Sequence, residues 1–259
     1  MISLAIVLLY QNQNTNELRC TEINTIGKIK AMSYTLYIGN KNYSTWSMRP
    51  GLVMKHFQID YTEQLVRFDS FAADSVFKQT ILPLNPNGTV PVLTDGDLVV
   101  SDSLAICEYL AERHPQLPLW PQDYKARARA RSVAAKMHNG FNHIRQHFPM
   151  NIEAVLPEIG QIVLRDFPAV KQEIDFLDQY LSSLLAASAG KYLFGEFSIA
   201  DAFYAPMCLR LKGFQIHTSE ALANYINTLC ATEAVAAWIA QALEEKDFIA
   251  MDEPYRIAR

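Results

Sequence analysis

The sequence predicts an α+β chain in which strands and helices mix in the first part and helices alone follow. Three stretches carry that prediction. Tyr34 to Phe57 reads as strand, hydroxyl-rich loop and helix; Val90 to Leu110 reads as a hairpin running into a second helix; and from Tyr124 onward every assignable segment reads as helix.

The first stretch, YTLYIGNKNYSTWSMRPGLVMKHF, alternates apolar and polar residues from Tyr34, breaks at Gly39 to Asn42, and becomes helical from about Ser47. Pro50 restricts where the helix can begin, because proline fits best where no backbone donor is needed. Ser47 is therefore the expected N-cap. Such a helix start, with unpaired N–H groups and the positive end of the dipole behind a loop of Tyr43, Ser44 and Thr45, favours an anion.

Ile59 to Val66 alternates as a second strand, and a short helix is expected near Asp74 to Gln79. Asn85-Pro86-Asn87-Gly88 is a turn by composition. VPVL and DLVV then form two short strands joined through Asp95-Gly96, where a positive φ is easily adopted. Pro91 near a strand start points to a special turn, and a cis Val90–Pro91 bond would aim the Val90 backbone outward. Ser101-Asp102-Ser103 supplies caps for the next helix, ordinary helix chemistry taken alone. The proline-rich run His114 to Gln122 has no period and reads as a linker between domains. Helices follow over Tyr124 to Phe148, Leu156 to Ala189, Ile199 to Leu211, Glu220 to Leu229 and Glu233 to Glu245, the third opened by the capping-box pattern Ser198 to Asp201.

Composition narrows the function classes. The 259 residues are 50% apolar and 19% charged, enough for a sizeable core, and the net charge of -4 argues against a nucleic-acid partner. Arg127, Arg129 and Arg131 alternate along a helix and point in different directions, so they read as a solvated face. Cys20, Cys107, Cys208 and Cys230 form no C-x-x-C pair; reduced thiols are expected, with Cys107 and Cys208 buried. His143 and His147 are four apart near His138, yet no H-E-x-x-H and no third ligand accompany them, so no metal site is expected. Residues 1–31 differ from the rest. MISLAIVLLY is too short to span a membrane and lacks the basic start of a signal peptide. Met32 opens MSYTLYIG directly, so a start placed too far upstream and a genuine flexible extension are both expectations for this segment, which is assigned no function.

Taken in order, the strand, hydroxyl loop and helix, then NPNGTVPVL and SDSLAICEYL, then an all-helical half containing SIAD, resemble the glutathione transferase superfamily from Ser33 to about Phe248. The resemblance implies a thioredoxin-like N-terminal domain over 33–113, a linker over 114–122, an all-α helical-bundle domain over 123–248 and a tail over 249–259, after an extension over 1–32. It also implies glutathione as co-substrate, a small electrophile as second substrate, a homodimer, a cytoplasmic location, a role in detoxification, and neither nucleic acid nor membrane as partner. Ser44-Thr45-Trp46-Ser47-Met48-Arg49 is similar to the serine-type loop S-S-C-x-x-R of zeta-class enzymes, which places Ser44 at the catalytic position and leaves Tyr43, Thr45 and Ser47 as other hydroxyls for the thiol. Val90 matches the residue whose backbone pairs with the cysteinyl part of glutathione. Asp102 and Ser103 match the acid-serine pair that holds the γ-glutamyl end, and Lys78 corresponds to the group on the glycyl carboxylate, in a loop that varies among classes. The sequence departs from the zeta pattern at Thr45-Trp46 and Pro50, which weighs against an isomerase.

The chemistry suits those residues. A cysteine-type thiol has a pKa of about 8.5. A hydroxyl donor backed by a helix N-terminus would favour the thiolate, which attacks a small hydrophobic electrophile against an apolar wall. Met137, Phe141 and Phe148 are candidates for that wall, with plain core packing as their competing reading. The alternatives to a transferase are a glutathione-dependent isomerase or peroxidase, and a noncatalytic binding or regulatory protein on the same fold.

Overall fold

The computed structural model describes residues 34–70 and 72–259. The reading of residues 1–31, and of Cys20 within them, lies outside that range. The described residues form one compact unit.

The chain begins with β1 (Tyr34–Ile38), α1 (Thr45–His56) and β2 (Tyr61–Leu65). β1 and β2 pair in parallel, Tyr34 opposite Tyr61 and Ile38 opposite Leu65. α2 (Val76–Ile81) leads to the hairpin β3 (Val92–Asp95) and β4 (Leu98–Ser101), joined by Gly96-Asp97 with Gly96 at φ 64°. β3 runs antiparallel to β1, so the sheet order is β2-β1-β3-β4. α3 (Ser103–Arg113) closes this half. The arrangement is the thioredoxin-like one that the resemblance implies. The inward side chains of β1, Tyr34, Leu36 and Ile38, are buried with Met48, Leu52 and Val53 of α1 and Ile106 and Leu110 of α3.

Helices α4 (Tyr124–Asn139), α5 (Asn142–His147), α6 (Pro157–Asp166), α7 (Pro168–Ala187), α8 (Ile199–Gly213), α9 (Glu220–Ala231) and α10 (Glu233–Glu245) build the second half. Two long helices expected from the sequence are each broken in two. Gly140 takes an extended conformation and Phe141 a left-handed one at φ 57°, separating α4 from α5. Phe167 ends α6, and Pro168 starts α7 at its first position, where no amide donor is required.

α8 is the central post, buried without interruption from Ile199 to Leu211 and packed against α1 and α4. Asp201 fixes its start. The fully buried carboxylate accepts the N–H groups of Ser198 and Leu193, each at 3.0 Å, and the Tyr225 hydroxyl at 2.8 Å. The sequence-predicted cap is therefore also a tie between α8 and α9. Cys107 and Cys208 are buried as expected, and Cys230 is partly so. Arg131 holds Glu108 bidentately at the surface, at 2.8 and 3.0 Å. Among the described residues no helix is long and apolar enough to cross a membrane.

Candidate functional site

α1 begins three residues earlier than its proline led the sequence reading to expect. The Asn40 carbonyl gathers the N–H groups of Tyr43 and Ser44, and the turn hands over to the helix with Ser44 at the N-cap. Pro50 then lies inside the helix, where it removes one backbone bond. Ser47 is correspondingly not the N-cap. It is fully buried at the third helical position, its Oγ accepting the Gly39 N–H at 3.2 Å and the Ser44 hydroxyl at 2.8 Å.

This geometry has a chemical consequence. An N-cap serine ordinarily accepts an N–H from the first turn. The Ser44 side chain makes no such bond, because its hydroxyl is turned toward Ser47. The first turn also holds no acidic residue. Neither a capping oxygen nor a carboxylate therefore competes for the positive end of α1.

Ser44, Lys78 and Val90 line one cavity of about 330 Å³, together with Tyr43, Thr45, Trp46, Phe68, Phe77, Gly88 and Thr89. Lys78 donates from Nζ to the Gly88 carbonyl at 2.8 Å, which sets its amine at the rim of the Val90 turn. The Val90–Pro91 bond is cis. Asp102 and Ser103 are not among the walls of this cavity. They sit at the start of α3, where one Asp102 oxygen accepts the N–H groups of Leu104 and Ala105 at 2.8 and 3.2 Å. Asp102 holds φ at 82°, a conformation that costs a non-glycine residue of order 1–3 kcal/mol. Ser103 Oγ accepts from Arg49 at 3.4 Å, linking α3 to α1.

The other hydroxyls separate clearly. Tyr43 donates to Glu253 at 2.7 Å, and burial together with that carboxylate pushes its phenol up to about 12, so it stays protonated and tied to the tail. Ser47 is enclosed against Gly39. Thr45 shares the cavity wall with Ser44.

Sequence reasoning missed the arginines. Arg49 is 1% exposed, its guanidinium 4.0 Å from the Trp46 ring centre and 4.7 Å from that of Phe203, with Nη1 3.5 Å from His138 Nδ1. Burial first, then Arg145, pulls its pKa down to about 9, still protonated at neutral pH. His138 Nε2 lies 3.2 Å from Asp102 Oδ2. A neutral His138 with its proton on Nε2 satisfies both neighbours, and burial, reinforced by Arg49 and Arg145, lowers its pKa toward that state against the pull of Asp102. Arg145 is also over Trp46, at 4.7 Å, and Arg145, Arg210, Pro149, Met150 and Asp252 complete the cavity wall. The one sequence signal for Arg210 is an arginine inside the otherwise apolar run of α8.

Met137, Phe141 and Phe148 do not line this cavity. All three are in the core, Phe148 stacked on Phe214 at 4.5 Å and Phe141 edge-on to Tyr204 at 6.2 Å, so core packing is the role the fold gives them. His147 stacks on Phe167 at 3.9 Å.

Comparison with known proteins decides the family. Residues 43–113 match the family model for the glutathione S-transferase N-terminal domain. Glutathione S-transferase 1 of Dianthus caryophyllus is 33% identical over 189 residues, covering 71% of this chain and 80% of that protein. The chain belongs to the glutathione S-transferase family. Maleylacetoacetate isomerase of Rattus norvegicus is 29% identical over 202 residues, 77% of this chain and 88% of that enzyme. A transferase homolog from sulfitobacter, solved with bound glutathione, superposes with a TM-score of 0.59 at 25% identity, covering 83% of this chain and 98% of that one. In this transferase the family match spans the positions expected to meet glutathione, from Ser44 to Ser103, and not Met137, Phe141 or Phe148.

Proposed function

We propose that the chain conjugates glutathione to a small, largely apolar electrophile, with the Ser44 hydroxyl donating a hydrogen bond to the glutathione thiolate at the N-terminus of α1. The carrying observation is that uncapped helix start, opening onto a cavity shared by Ser44, Val90 and Lys78. In this reading the Val90 backbone pairs with the cysteinyl unit, Lys78 meets the glycyl carboxylate, and Asp102 and Ser103 hold the γ-glutamyl end. The segment 33–113 then supplies glutathione recognition and 123–248 the electrophile side, in a cytoplasmic homodimer that serves detoxification.

The mechanism follows from charge. When the thiol enters, the Ser44 hydroxyl turns from Ser47 to the sulfur and no proton leaves serine. The hydroxyl bond and the helix dipole stabilise the thiolate only in its charged form, so both lower the pKa from about 8.5; each pKa unit is worth about 1.4 kcal/mol. The thiolate attacks the electrophile, forming a C–S bond while the leaving group departs with its electron pair. A second reading, cis–trans isomerisation by reversible thiolate addition, draws on the similarity to the rat isomerase.

Calorimetric titration with glutathione tests the first requirement. One saturable site per chain is expected, and no heat of binding at millimolar glutathione refutes both enzymatic readings.

A further inference from the structure

We propose that the electrophile of this transferase carries a carboxylate, held between Arg145 and Arg210. The inference rests on the transferase reading and names the substrate class of that same cavity.

Arg210 lies on the buried post α8 and is 8% exposed. Its Nη1 donates to the carbonyls of Phe148 and, at 3.4 Å, Arg145. Arg145, on α5, is half-buried over Trp46, and its Nη1 reaches the carbonyls of His138 and Gly140 at 3.4 Å each. These acceptors are neutral and engage only one end of each five-donor fork. Neither guanidinium forms an ion pair among the described residues. Glu173 on α7 is occupied by the Ile144 N–H at 2.9 Å and Asp252 is on the same wall; Glu173 attracts Arg145 and Asp252 attracts Arg210, each without reaching ion-pair distance.

Glu173 raises the pKa of Arg145 and Asp252 that of Arg210, but in each case burial is the larger effect, so neither cation recovers through an ion pair the hydration it has lost. Burial and the proximity of Arg145 lower the Arg210 pKa to about 9, so it remains charged at neutral pH and faces a like charge. An anion in the cavity relieves both penalties, and a planar carboxylate matches the guanidinium fork. Glutathione does not supply that anion in the arrangement above. Its glycyl carboxylate goes to Lys78 and its thiolate to α1, both on the sheet half, which leaves the two arginines to the second substrate. Trp46, Pro149 and Met150 accommodate the apolar remainder, and a cavity of about 330 Å³ keeps that substrate small.

The test uses an aryl chloride chlorodinitrobenzoate and its methyl ester, with each kcat/KM divided by the rate constant of the same compound with free glutathione, because the ester also activates the ring. In each, sulfur attacks the carbon bearing chlorine, the C–S bond forms, the C–Cl bond breaks with its electron pair leaving as chloride, and the thiol proton goes to buffer. The wild-type enzyme should favour the carboxylate in kcat/KM by at least about tenfold, the scale of one charge-assisted hydrogen bond. That ratio should fall toward one in Arg210→Met and in Arg145→Met, chiefly through KM of the carboxylate. Arg210→Met also removes two bonds to carbonyls, so Arg145→Met, which leaves α8 untouched, is measured beside it, and the wild-type ratio needs no variant at all. Conjugation of both compounds with a wild-type ratio near one, or a ratio unchanged in both variants, overturns the carboxylate subsite and leaves the transferase standing. Conjugation of neither overturns the transferase reading and the subsite with it.

Discussion

The two walls of the cavity are built by different means. The sheet-half wall, from Ser44 to Val90, is made of chain turns: a helix start, a lysine set against the Gly88 carbonyl, and the turn into a cis peptide. The helical wall is made of side chains delivered by separate segments, Arg145 beyond the end of α4, Arg210 from the middle of α8 and Asp252 from the tail. A wall of backbone suits a co-substrate that never changes. A wall of side chains can be altered one residue at a time while the fold stays as it is, because α8 is held by Asp201 and its apolar neighbours rather than by the arginine it presents.

Ser44→Ala is the sharpest way to break the sheet-half wall. Removing one donor from a developing or stabilised anion costs about 10²- to 10³-fold in rate. Conjugation of an activated aryl chloride should fall by that factor at neutral pH, with glutathione affinity changed only a few-fold in calorimetry. The ultraviolet absorbance of bound thiolate should then appear at higher pH, toward the free value of about 8.5. An unchanged rate moves the donor role to Thr45, the other hydroxyl of the wall.

The same contrast explains what could be read from the sequence. Strand order, the hairpin at Asp95-Gly96, the cap at Ser198 and the cis-prolyl turn are local, and turn chemistry marks them residue by residue. Ser44, Val90 and Lys78, selected by the family resemblance, stand at such local turns and line one cavity, whereas Asp102 and Ser103, selected in the same way, cap α3 outside it. The break between α4 and α5 was not, because Phe141 adopts φ 57° in a setting fixed by packing against Tyr204 and Phe176. The start of α1 lies earlier than Pro50 suggests because a proline marks a helix boundary only by its local cost, and tertiary burial tolerates it inside the helix. The arginine wall was hidden because Arg145 and Arg210, 65 residues apart in sequence, meet only through tertiary packing, the Arg210 side chain bonding the Arg145 and Phe148 carbonyls, which no local pattern marks.

The tail joins the two walls, and breaking that joint gives the next largest effect. Glu253 is 5% exposed and accepts from Tyr43 Oη and Asn151 Nδ2, both at 2.7 Å, while Asn151 Oδ1 accepts from Asn42 Nδ2 at 3.0 Å. Glu253→Ala leaves the Asn151 amide without this acceptor, leaves Tyr43 Oη only the Asp247 carbonyl at 3.1 Å, and removes the carboxylate that pairs with Arg256 at 3.2 Å. A loss of about 2–3 kcal/mol in urea unfolding is expected. Conjugation should weaken as well, since Tyr43 precedes Ser44 directly. Tyr43→Phe removes one donor and keeps the ring, so about 1 kcal/mol is expected with a near-normal rate. A rate loss in Tyr43→Phe as deep as in Ser44→Ala would give Tyr43 the thiol and reverse the assignment made from its bond to the tail.

The smallest effect concerns the joint at Asp102. His138 bridges Arg49 and Asp102 as a neutral ring, and burial, with two arginines nearby, sets its folded pKa below the ordinary 6.5. A depressed histidine pKa means that the unfolded chain takes up the proton first. The stabilising contribution of the neutral ring is therefore complete above about pH 6.5 and is lost as pH falls through the lower folded value. Protonation also places an N–H on Nδ1 facing the Arg49 guanidinium, so α1 and α4 lose one contact as the ring charges. His138→Gln preserves an acceptor for Arg49 and a donor for Asp102 but cannot titrate. Urea unfolding from pH 8 to pH 5 should give a wild-type minus variant difference that is flat above about 6.5 and declines below it. Parallel curves over that whole range would show that the ring is not the titrating link between the two helix starts.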